Sequence, residues 1–129
     1  MKTKFLALLM MFGVCAKSQQ PTPLPTRQQL AWHDMELYLF VHFGPNTFTD
    51  KEWGHGDEQA EVFDPTQLDC RQWTKVAKEA GAKGIIITAK HHDGFCLWPS
   101  KFSKHTVRES KWRDGKGDVL KELSQACRE

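Results

Sequence analysis

An apolar run without alternation, Gly84-Ile85-Ile86-Ile87-Thr88-Ala89, begins three residues after Gly81 closes an amphipathic helical stretch. A run of this kind is how a strand covered on both faces reads, and strands covered on both faces are characteristic of parallel sheets. A helix joined so tightly to such a strand implies a strand-helix-strand unit once an earlier strand is found. Leu37 to His42 supplies it, because Tyr38-Leu39-Phe40-Val41 is aromatic and branched enough for a buried strand. The helix between them is signposted by Asp64-Pro65, an N-cap followed by proline in the first turn, with Gln67 placed to close a capping box. Trp73, Val76, Ala77 and Ala80 then recur at helical spacing, and Gly81 is a natural stop. A second helix is predicted from Gly117-Asp118 through Val119, Leu120, Leu123 and Cys127. The order strand, helix, strand, helix predicts an α/β fold with a parallel sheet and a right-handed crossover.

In parallel α/β architectures the chemistry gathers at the carboxyl ends of the strands. The helix-to-strand link is only Gly81 to Lys83, whereas the connections after the two strands run from 43 to 64 and from 91 to 116. Ordinary connections in such units are about 2 to 6 residues long, and far longer ones are functional or disordered. These two carry tryptophans and histidines, which argues against disorder. His42, His55, His91 and His92, four of the six histidines, lie on this elaborated end. Neutral imidazoles donate to and accept from hydroxyls, and an indole covers an apolar sugar face, so a sugar or polyol site fits these residue types. A metal site built from two or three histidines with Asp93 is a second account. Against it, adjacent His91 and His92 would point to opposite faces if still in strand, and no HxH or HExxH spacing occurs. Polar caps with no ligand are the third. Trp73, Trp98 and Trp112 are expected to pack, and Asp93 to form a turn beside Gly94.

With 129 residues, 40% hydrophobic and 26% charged, the composition is that of one globular domain at most. Residues 1–18 read as a secretory signal: two lysines, the apolar run Phe5 to Val14, then Ala16 and Ser18 before a cut after Ser18. That points to a secreted or periplasmic protein; a lipoprotein anchor on Cys15 is the alternative. The apolar run of about ten residues is too short to span a bilayer, which needs about 20. Residues 19–27 carry three prolines and read as a linker, with the ordered body starting near Gln28. Without Lys2, Lys4 and Lys17, 15 of the 18 basic residues face 16 acidic ones, and no basic stripe suggests a nucleic-acid partner. Cys70, Cys96 and Cys127 are an odd set at wide spacing, either free thiols or one pair with one left over.

Three strings go further. Phe40-Val41-His42-Phe43-Gly44-Pro45-Asn46-Thr47-Phe48-Thr49-Asp50-Lys51-Glu52-Trp53-Gly54 is the first, and Lys83 through Ser100, containing Lys90-His91-His92-Asp93-Gly94-Phe95, is the second. Trp112-Arg113-Asp114-Gly115-Lys116-Gly117-Asp118 is the third. Together and in order they resemble the N-terminal part of the α-L-fucosidases of glycoside hydrolase family 29, over Gln28 to Glu129.

The resemblance implies the N-terminal part of a catalytic (β/α)8 TIM-like barrel and retaining removal of α-linked L-fucose from fucosylated oligosaccharides or glycoconjugates, with no cofactor. It implies that His42, Glu52, Trp53, His91 and His92 line the fucose pocket, the tryptophan as part of its wall. Glu52 is then a binding residue, where residue type alone would equally allow a solvated loop acid. The Asn46–Asp50 wording and Glu52-Trp53-Gly54 look more like the subgroup acting on α-1,3/1,4-linked fucose. A complete barrel needs about 250 residues, and only 111 follow Ser18 here. The remainder of the barrel is therefore expected beyond Glu129; the resemblance implies that both catalytic carboxyl groups lie there too, and no catalytic carboxylate is assigned. Residues 19–129 alone are expected not to hydrolyse an aryl α-L-fucoside. A non-catalytic fucose-binding remnant and an unrelated metal-dependent barrel hydrolase are the other readings.

Overall fold

The computed structural model describes residues 22–129. The expected signal segment 1–18, with Cys15, and the first residues of the linker lie outside them.

Thr26 and Gln29 cap each other reciprocally and start helix α1, Arg27–His33, one residue inside the expected linker. The first strand, β1, is Leu39–Val41 and pairs in parallel with β2, Ile85–Ile87, in the register Leu39 to Ile85 and Val41 to Ile87. Both strands are shorter than the expected Leu37–His42 and Gly84–Ala89. Glu36 adopts a left-handed backbone at φ 54°, so the chain turns before Leu37. Past Val41 it bends into a four-residue helix, α2, Asn46–Thr49. Pairing still reaches one step further at each end, through Lys83 N–H to the Leu37 carbonyl and Thr88 N–H to the Val41 carbonyl.

The crossover helix, α3, is Cys70–Glu79, and its cap is Asp69 rather than the expected Asp64. Pro65 is buried and Thr66-Gln67 form a turn. Asp69 stands directly before the apolar period, and its carboxylate accepts from Arg71 N–H and Gln72 N–H at 2.9 and 3.2 Å. The helix stops at Gly81 as its sequence position suggests. Gly81 sits at φ +82°, its N–H bonds the Lys78 carbonyl and Ala82 N–H reaches back to Ala77, the paired bonds of a Schellman end. The last helix, α4, is Val119–Ala126, capped by the Asp118 side chain on Lys121 N–H.

The deepest packing lies in the long connections, not under the sheet. Phe63 has no exposed surface and touches the rings of Phe43, Phe48, Phe95 and Trp112 at centroid distances of 5.0 to 5.7 Å. Leu97, Val107 and Val119 complete this core, with Trp73 against its edge. Trp112 and Trp73 therefore pack as expected, and Trp98 is half-buried. The segment 91–116 is ordered by two three-ten turns, Val107–Glu109 and Trp112–Gly115, and by bridges joining Cys96 to Lys90 and Thr106. Cys70, Cys96 and Cys127 are all free, and burial pushes the Cys70 thiol up to about 11. Among the described residues no helix is long and apolar enough to cross a membrane.

Candidate functional site

Parallel pairing puts the ends of β1 and β2 on one edge, so His42 stands beside Thr88, its Nδ1 3.0 Å from the Thr88 hydroxyl. Beyond β2 the chain turns at His91-His92-Asp93-Gly94, closed by Gly94 N–H to the His91 carbonyl at 3.0 Å. Because both histidines are in this turn, they do not diverge as strand neighbours would. The His91 ring meets His92 at 4.5 Å and His42 at 4.4 Å, edge to face in both cases. The Trp53 indole approaches His92 at 6.2 Å and is 61% exposed. Four of the five residues expected to line a pocket thus form one row, Trp53, His92, His91, His42.

Glu52, the fifth, is exposed next to Trp53, and its side chain makes no hydrogen bond or ion pair among the described residues. His55, left undecided by sequence, is also exposed, and only its backbone takes part in the local hydrogen bonding. Nδ1 of His91 is buried without a hydrogen-bond partner among the described residues, as are both polar atoms of the Asn46 side chain.

The loop that presents Trp53 is fastened from behind. Glu58 accepts from His55 N–H at 2.8 Å and from Gly56 N–H at 2.9 Å with its two oxygens. Asp93 is 4% exposed and accepts from Phe95 N–H at 2.7 Å, the turn-forming role its position suggests. Both carboxylates are thus committed to backbone. Sequence reasoning passed over Thr88, Glu58 and Asn46. Thr88, a polar residue ending an isoleucine run opposite His42, was the legible one.

The histidine row lies on an open face. Two cavities, of about 580 and 440 Å3, open elsewhere, against α3 and α4. Among the described residues no group of three or more His, Cys, Asp or Glu is arranged to share a metal. Imidazoles in a row beside an exposed indole are fitted to bind a hydroxylated ring with one apolar face.

The sequence profile described as Alpha-L-fucosidase matches residues 12–129. The chain belongs to the alpha-L-fucosidase family. It is 52% identical over 107 residues to Alpha-L-fucosidase 1 of Arabidopsis thaliana, covering 83% of this chain and 21% of that protein. A solved glycoside hydrolase 29 family member from an unknown rumen bacterium superposes with a TM-score of 0.80 at 57% identity, covering 82% of this chain and 19% of that one. A Ruminococcus gnavus GH29 fucosidase in complex with fucose gives a TM-score of 0.73 at 40% identity, over 80% and 22% of the two chains. The chain spans about a fifth of the length of these relatives.

In this alpha-L-fucosidase family chain the Glu58 clip carries a pH signature. Burial pushes the Glu58 carboxyl upward, but the backbone N–H groups of His55, Glu58 and Gly56 and the charge of Lys51 outweigh it, holding the group below its ordinary 4.5. A lowered folded value means the clip favours the closed loop above pH 4.5 and loses that contribution as pH falls through the lowered value. The amide proton resonances of His55 and Gly56 are expected to hold steady above pH 5 and to move together on acidification below 4.5. Invariant shifts down to pH 3 would contradict the clip.

Proposed function

We propose that this chain is the fucose-binding N-terminal part, residues 28–129, of a (β/α)8 barrel that removes α-linked L-fucose from glycans with retention. The observation that carries the reading is the row Trp53, His92, His91, His42 at the carboxyl edge of the parallel pair. His42, His91 and His92, with Glu52, bind the sugar hydroxyls; Trp53 covers the apolar side of the ring. Retaining hydrolysis needs two carboxyl groups about 5 to 5.5 Å apart, one a nucleophile and one an acid then base. Glu58 and Asp93 already serve backbone donors, and the resemblance to the family implies that this pair comes from barrel segments C-terminal to Glu129.

The family's named members, Alpha-L-fucosidase 1 of Arabidopsis among them, support hydrolysis, and the Ruminococcus gnavus complex supports fucose as the bound sugar. The substrate is a fucosylated oligosaccharide or glycoconjugate, with α-1,3/1,4-linked fucose suggested by the wording around Asn46 and Trp53. Residues 1–18 direct export to the periplasm or beyond the cell, with residues 19–27 as a linker.

The test is to express the full-length gene product and follow an aryl α-L-fucoside by proton NMR. Turnover with α-L-fucose as the first-formed anomer is expected. A folded, pure product that neither turns over the fucoside nor binds L-fucose would remove the proposal.

A further inference from the structure

The Trp53 loop and the histidine turn meet at Gly54, and they meet more closely than two ordinary residues could. A Cβ built on Gly54 would lie 2.6 Å from Asp93 Cβ, 2.9 Å from Glu58 Oε1 and 3.1 Å from Asn46 Oδ1. Carbon atoms in contact stand about 3.5 to 4.0 Å apart, so a methyl group there would displace the loop, the turn or both by about 1 Å. The backbone of Gly54 lies outside the left-handed region, which leaves contact alone as the reason for glycine. The two nearest neighbours cannot yield cheaply. Asp93 is buried and bonded to Phe95 N–H, Glu58 is bonded to two backbone donors, and Asn46 is 9% exposed.

We propose that Gly54, backed by the Glu58 clip, is a positioning residue: its missing side chain lets the 51–58 loop settle on the 91–94 turn and sets the Trp53 indole against His92. The residue touches no substrate. It acts on the sugar through the residue before it, and this rests on the fucose-binding reading above. The loop and turn are 33 or more positions apart in sequence, and the Gly54 contact joins the two connections at the point where the wall of the site meets its histidines.

The test uses the full-length gene product and the variant Gly54→Ala, read in two ways. The first is independent of sugar: the His92 ring resonances, which feel the Trp53 ring, are expected to move in Gly54→Ala in the same direction as in Trp53→Leu. The second is kinetic. A misplacement of about 1 Å costs up to about 100-fold, and since Trp53 and His92 bind rather than react, KM should rise on the order of 10- to 100-fold with kcat changed less than about 3-fold. Adding Asp93→Gly, which removes the nearest obstructing carbon, is expected to restore part of both readouts over the Asp93→Gly control.

If Gly54→Ala does not fold, Glu58→Gln decides: it keeps the packing, removes one of the two acceptors for backbone N–H, and is expected to move His92 and raise KM in the same sense. Unmoved His92 resonances in whichever variant folds overturn the positioning role. If the resonances move while the wild type neither binds nor hydrolyses fucosides, the positioning role stands and the fucose reading falls.

Discussion

Phe63→Ala is expected to cost about 3–5 kcal/mol, the range for truncating a buried aromatic ring without collapse of the site. Phe63 has no exposed surface, and its ring is walled by Phe43 and Phe48 from its own connection and by Phe95 and Trp112 from the other. Since these walls belong to two different connections, each tethered to its own strand, they cannot close together over the void. Native domains have only about 5–15 kcal/mol in total, so the variant would approach the edge of folding. Urea unfolding of the two proteins measures the difference as a shift in midpoint. A loss below about 1 kcal/mol would mean that the connections hold their shape without this ring.

Replacing His91 by alanine should reduce kcat/KM for an aryl α-L-fucoside by on the order of 100-fold. His91 is the middle of the row, in edge contact with His42 on one side and His92 on the other, with Nδ1 buried. In the proposed role, removing it leaves a sugar hydroxyl unpaired, at about 1–3 kcal/mol, and frees both neighbouring rings. Every 1.4 kcal/mol is a factor of ten. On the proposed fucose-binding reading the imidazole contacts both substrate and transition state, so most of the loss should fall in KM. Steady-state kinetics on the full-length gene product provides the check; a loss under about 3-fold would exclude His91 from sugar binding.

Much of this was legible in the sequence because it rests on local physics. The unalternating isoleucines gave β2, Gly81 gave the end of α3, and the lengths of the two connections pointed to the edge where the histidines cluster. The misplaced cap has a physical cause: Asp64 and Asp69 both precede the same helical period, and only the three-dimensional course of Pro65–Leu68 decides between them. α1 went unrecognised as a helix because none of its residues is buried, so it carries no apolar period, only the Thr26 and Gln29 cap. At the candidate site, the strand ends pointed to His42, His91 and His92, and the family resemblance singled these out together with Glu52 and Trp53; the structure brings His42, His91, His92 and Trp53 into one row. Glu58 and Gly54 could not be, because their roles depend on a loop and a turn that meet only in the folded chain. The buried core of the connections was hidden in the same way: Phe63, Phe95 and Val107 sit in segments with neither helical nor strand period.

The parallel pairing also fixes an order of events during synthesis. His42 and Thr88, which join the two strand ends, are 46 positions apart. At about 5–20 residues per second, Leu39-Phe40-Val41 emerges several seconds before β2 exists, whereas α3, built from local contacts, can form in about a microsecond. Through that interval the first strand is an unpaired apolar edge, and Phe40 remains 67% exposed even after β2 arrives. A nascent chain of this fold is therefore most in need of a holding chaperone at its earliest strand, well before either histidine of the turn beyond β2 has been made.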